Sequence, residues 1–148
     1  MTQKEIEDNL LSIIKNYSNS EDNMFIADKV LDSQQLIFGL EYWYNHSELI
    51  NYSAIVKVEN QLDNRHAILL TASKTNNQSV VITIIDPLSD QDSMFKVEIE
   101  QLAQLLNNQG FSTNILYSGI QDKDYGTCAD LSLILLYEVL EKTHGVLS

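Results

Sequence analysis

Cysteine is nearly absent from this 148-residue chain: Cys128 is the only one. A single thiol excludes an internal disulfide framework. With three scattered histidines, His46, His66 and His144, it also lacks the paired spacing of a zinc site, so no metal is expected. A lone thiol points to a reducing compartment. Proline occurs once, at Pro87, and glycine five times, so no Pro- or Gly-rich linker divides the sequence. One domain over 1–148 is expected. Positive charge is scarce as well. Nine Lys and Arg, with Arg65 the one arginine, stand against 21 Asp and Glu, for a formal charge of −12. That balance argues against nucleic acid or an anionic membrane as partner and favours a basic protein surface. No apolar run is long enough to cross a bilayer, and Met1 to Asp8 lacks the positive start and apolar stretch of a secretory signal.

What is present is 44% hydrophobic residues, enough for a core of moderate size. Thr2 and Glu5 have capping-box spacing, and Ile6, Leu10, Ile13, Ile14 and Tyr17 recur at helical intervals. A short apolar segment from Met24 to Leu31 follows, then Asp32 as a helix N-cap. A second helix is predicted from Ser33 to about Tyr44 through Leu36, Ile37, Leu40 and Trp43. Beyond it the pattern changes. Tyr52–Val58, His66–Thr71, Val80–Ile85 and Thr113–Tyr117 are rich in Ile, Val, Thr and Tyr and read as strands. Glu98–Asn108 reads as a helix stopped by Gly110, and Thr127–Thr143 as a final, apolar helix stopped by Gly145. The fold class is therefore α+β, a central, mainly antiparallel sheet with packed helices. A helical part at 1–45 precedes a core at 52–145.

Four residues at element boundaries carry the chemistry. The polar run Lys74 to Gln78 is a natural hairpin turn. Centred on Asn76, it sets His66 directly opposite Asp86 on one face, with Cβ atoms roughly 4.5 to 5.5 Å apart, suited to an imidazole donating N–H to a carboxylate. Thr127 and Asp130 have capping-box spacing, which makes Cys128 the first residue of the final helix. There the helix dipole and unpaired N–H groups favour thiolate, the nucleophilic form. Gln121, in the polar loop before it, is placed to donate a side-chain N–H to an oxyanion together with the Cys128 backbone N–H. Plainer readings exist for each residue. Cys128 fits a small core position, His66 a strand-end histidine bonded to backbone, and Asp86-Pro87 a turn signal. His46 and His144 lie in polar stretches and are incidental.

His66-Ala-Ile-Leu-Leu, then Ile-Thr-Ile-Ile-Asp86-Pro-Leu, then Gln121 through Cys128-Ala-Asp-Leu, is similar to the clan CE cysteine peptidases. That group includes ubiquitin-like-protein-specific proteases, adenovirus-type proteases, bacterial effector deubiquitinases and YopJ-type acetyltransferase effectors. The similarity runs over about 60–140 and implies His66 as general base, Asp86 as its orienter, Gln121 as oxyanion donor and Cys128 as nucleophile. Three departures stand out. Ala67 replaces the tryptophan that often follows the histidine, Ala129 replaces the glycine that usually follows the cysteine, and the Gln-to-Cys interval is one residue longer than in most members. The resemblance implies a thiol isopeptidase acting on ubiquitin or a ubiquitin-like protein, without cofactor, in the cytoplasm or, as a secreted effector, in a host cytosol. Its alternatives are a YopJ-type acetyltransferase and an inactive modifier-binding homologue. The acetyltransferases use a basic site for an inositol polyphosphate, which a chain with one arginine is poorly equipped to build.

Overall fold

Apolar side chains on both faces of the predicted strands require a sheet covered on both sides, and the chain forms one. A computed structural model describes residues 3–17, 24–61, 65–88 and 94–118. In chain order the elements are α1 (Gln3–Tyr17), β1 (Met24–Ile26), α2 (Ser33–His46), β2 (Asn51–Glu59), β3 (Arg65–Lys74), β4 (Val80–Asp86), α3 (Lys96–Asn108) and β5 (Ser112–Tyr117). The five strands lie side by side in that same order. The central pairs β2–β3 and β3–β4 are antiparallel, whereas the outer pairs β1–β2 and β4–β5 are parallel. The fold class is α+β as expected, and the sheet is mixed. Each parallel pair is joined through a helix, because parallel strands need a crossover connection. The helix expected at Thr127–Thr143 lies outside the described residues.

Period-two alternation sorts the core into two layers. Ala54, Val56, Ile68, Leu70, Ile82 and Ile84 point to one face and pack against Leu36, Leu40 and Trp43 of α2 and Ile99, Leu102 and Leu106 of α3. Ile55, Ala67, Leu69 and Ile85 point to the other, where Ile6, Leu10 and Ile13 of α1 cover them. Full burial of each Leu or Ile contributes about 1.5–3 kcal/mol.

The helix ends follow local chemistry. Asp32 accepts from the Gln35 backbone N–H at 2.8 Å while the Gln35 side chain accepts from the Asp32 N–H at 3.0 Å, a complete capping box. At the other end of α2, Lys74 from β3 donates to the carbonyls of Trp43 (3.2 Å) and Ser47 (2.6 Å), a cation on the negative end of the helix dipole. Gly110, at φ 95°, ends α3; its N–H bonds Asn107 O and the Phe111 N–H bonds Leu106 O, the Schellman pattern.

The hairpin between β3 and β4 corrects the expected register. Lys74 pairs with Val80 and Leu69 with Ile85, so the turn is centred on Asn77 rather than Asn76. Thr75 N–H bonds Ser79 O, Gln78 N–H bonds Thr75 O, and Gln78 takes the left-handed conformation at φ 62°. This is a three-residue loop with a bulge at its end, which absorbs one residue more than a symmetric tight turn.

Candidate active site

Moving the turn centre by one residue shifts the pairing by two, and the alternation of faces survives. Continuing the observed register places Asp86 beside Ile68, so His66 and Asp86 are diagonal neighbours on one face instead of direct partners. Diagonal positions are about 7–8 Å apart at Cα, within reach of an imidazole and a carboxylate. The two side chains meet: His66 Nε2 lies 2.5 Å from Asp86 Oδ1, with His66 3% and Asp86 0% exposed. A charge-assisted bond shielded from water to that degree is stronger than the same pair at the surface.

Asp86 is held from several directions. Its Oδ1 also accepts from the Leu88 N–H at 2.9 Å, and its backbone O accepts from Ser118 N–H at 2.8 Å and Ser118 Oγ at 3.0 Å. The Asp-Pro turn and the histidine partner are thus both present, on one carboxylate oxygen. An ionised carboxylate only accepts, so the shared proton belongs on Nε2. That assigns proton exchange by the imidazole to Nδ1.

The imidazole has a second neighbour. Phe95, buried at the start of α3, stacks on His66 with ring centroids 4.8 Å apart and planes 15° from parallel. Leu88, Ser118 and Phe95 were not among the candidate residues. The Asp-Pro dipeptide signals the first, through the turn it begins; nothing in the sequence signals the other two. Gln121 and Cys128 lie outside the described residues.

Beside the pair, a cavity of about 570 Å³ opens between β2, α3 and the start of α2. Asp32, Glu59 and Glu98 outnumber Lys57 in its lining, over a floor that includes Val58 and Leu102. Val58 is the cross-strand partner of His66, so this acidic cavity lies one strand away from the imidazole. Among the described residues, no group of His, Cys, Asp and Glu is placed to hold a metal ion, and no helix is long and apolar enough to cross a membrane.

No family model matches the chain, and no curated protein matches it in sequence. Solved structures do match in shape. An AvrA deletion variant with IP6 and CoA aligns at TM-score 0.68 and 13% identity, over 95% of this chain and 52% of that one. HopZ1a in complex with IP6 and CoA aligns at 0.65 and 16%, over 98% and 44%. An ASFV protease aligns at 0.54 and 11%, over 91% and 56%. The fold is therefore the one these effector and protease chains share, and this chain spans about half the length of each.

Proposed function

We propose that the chain is a cysteine-dependent acyl-transfer enzyme in which Cys128 is the nucleophile, His66 its base, Asp86 the orienter of that base and Gln121 an oxyanion donor. The observation that carries this reading is the water-excluded His66–Asp86 hydrogen bond. A buried imidazole fixed in one tautomer by a carboxylate is what activating a thiol near neutral pH requires. His66 takes the thiol proton at Nδ1, and the thiolate attacks an acyl carbonyl. Collapse of the tetrahedral oxyanion forms a thioester and expels the leaving group, which receives the proton from the imidazolium. A second acceptor, deprotonated through His66, then releases the acyl group. Asp86 holds the ring and stabilises the imidazolium through both halves of the cycle.

In the first reading the acyl group is the C-terminal glycyl of ubiquitin or a ubiquitin-like protein, the leaving group a substrate amine and the acceptor water. The acidic surface, with a charge of −12, complements a basic modifier and speeds encounter. In the second the acyl group is acetyl from acetyl-CoA and the acceptor a Lys, Ser or Thr side chain. The similarity in fold to AvrA and HopZ1a, both solved with CoA, favours it; the scarcity of Lys and Arg opposes it. A modifier-propargyl probe separates them. The first reading expects a covalent adduct with the native chain and none with Cys128→Ala. No adduct, together with Cys128-dependent acetyl transfer from acetyl-CoA, selects the second, and neither reaction rejects the enzyme.

A further inference from the structure

We infer that Phe95 is a positioning residue for His66: its ring, stacked on the imidazole, fixes the ring plane and stabilises the imidazolium that forms when His66 takes a proton. The inference deepens the proposed function and rests on His66 being its base.

The choice of residue at this point is locally unfavourable. Phe95 occupies the N-cap position of α3 at φ −114° and ψ 15°, and its own side chain makes no capping hydrogen bond. Ser, Thr, Asp or Asn at that position would satisfy an exposed backbone N–H, which an aromatic ring cannot do. Phe95 belongs to the buried core, so its tertiary contacts, the stacked His66 ring among them, outweigh the local capping preference. Its neighbours sharpen the contrast, because Met94 and Val97 are 67% and 62% exposed whereas Phe95 is 6% exposed. The Phe95 carbonyl accepts the first helical bond, from the Ile99 N–H at 2.9 Å, so the backbone that carries the ring is itself anchored.

Stacking at 4.8 Å and 15° places the imidazole over the negative face of the phenyl ring. A cation within about 6 Å of such a face is attracted to it, and more strongly when desolvated. Burial alone disfavours a charged imidazole. The ring therefore works with Asp86 against desolvation, from a direction the carboxylate does not cover. Among the described residues, the charged groups on the surrounding elements are Asp86 on β4, Lys96, Glu98 and Glu100 on α3, Arg65 and Lys74 on β3, and Lys57 and Glu59 on β2. The last two flank Val58, the cross-strand partner of His66, and alternate to the opposite face. All are common to the variants below, so their contributions cancel in the comparison.

The test is the titration of the His66 imidazole, followed by NMR in the native chain and in Phe95→Leu, Phe95→Met and Phe95→Tyr. Leu and Met keep an apolar cover but lose the π face, so each should lower the imidazole pKa by about half a unit. Phe95→Tyr, which keeps the face, should leave it close to native. A cover that only fills space predicts no change or a rise in the Leu and Met variants, and that result overturns the inference. Either of the two suffices if the other fails to fold. Alkylation of Cys128 by iodoacetamide at pH 6 separates this inference from the function it rests on. It should slow a few-fold in Phe95→Leu and recover in Phe95→Tyr. If alkylation responds to His66→Ala while the imidazole pKa ignores Phe95→Leu, the inference fails alone. If the pKa falls as expected but alkylation ignores both His66→Ala and Phe95→Leu, His66 is not the base of Cys128, and the positioning role fails with the proposed function.

Discussion

His66 and Asp86 form a unit, and its energetics follow from burial. With His66 removed, Asp86 keeps only part of its hydrogen bonding in a site closed to water, and an under-satisfied buried group costs about 1–3 kcal/mol. His66→Ala is therefore expected to lower stability by about that amount in urea denaturation. Adding Asp86→Ala to it should cost less than Asp86→Ala in the native chain, with a coupling of about 1 kcal/mol or more in the double-mutant cycle. Tyr52 gives a pH dependence at the same scale. Burial pushes its phenol above the ordinary value, so the native state holds it neutral at pH values where the unfolded chain ionises it. The sign follows: this contribution is fully present below about pH 10 and is lost as pH rises beyond it, by up to about 1.4 kcal/mol per pH unit. Tyr52→Phe should flatten the alkaline fall of stability relative to the native chain.

At the scale of elements, α2 and the β3–β4 hairpin make separate predictions. A Cβ built at Gly39 would sit 2.9 Å from the Tyr52 hydroxyl, and Tyr52 is fixed between the rings of Phe25 and Trp43. Alanine gains up to about 1 kcal/mol of helix propensity but overpacks at a cost of about 1–3 kcal/mol. Gly39→Ala should thus destabilise, and in a Tyr52→Phe background, where the hydroxyl is gone, the loss should shrink or change sign. Gln78, at φ 62°, pays for a conformation that suits glycine. Gln78→Gly should stabilise the hairpin by about 0.5 kcal/mol, the relief exceeding the added freedom of the unfolded chain. This turn also shows how far the sequence could be read. Alternation put His66 and Asp86 on one face because parity survives a shift of two. Direct opposition did not hold, because Lys74 to Gln78 carries no signal that separates a symmetric turn from a bulged one. Phe95 stayed hidden for a related reason. Its contact with His66 depends on how α3 returns across the sheet, and its local position has no capping chemistry to attract notice.

For the whole molecule, the two strand–helix–strand units are the organising feature. Met24–Ile26, α2 and β2 form one, and β4, α3 and β5 the other; each imposes a parallel pair on an antiparallel centre. The helices between these strands were legible in the spacing of Leu36 and Leu40 and of Leu102 and Leu106, but Met24–Ile26 read only as a short apolar segment, so the expected sheet was mainly antiparallel and its two parallel outer pairs were not foreseen. The result of the mixed pairing is an oblique line across four strands at one end of the sheet, in which Val58 pairs with His66, Asp86 pairs with Tyr117 and the step from His66 to Asp86 is diagonal, with α3 above it. The acidic cavity opens at one side of that line. The proposed partnership of His66 with Cys128 is tested most directly by the pH profile of Cys128 alkylation, measured on the native chain and on His66→Ala. The native thiol should react with an apparent pKa below neutral, and His66→Ala should return it toward the ordinary value of about 8.5. An ordinary profile in the native chain, unchanged by His66→Ala, would contradict it and leave Cys128 a structural residue.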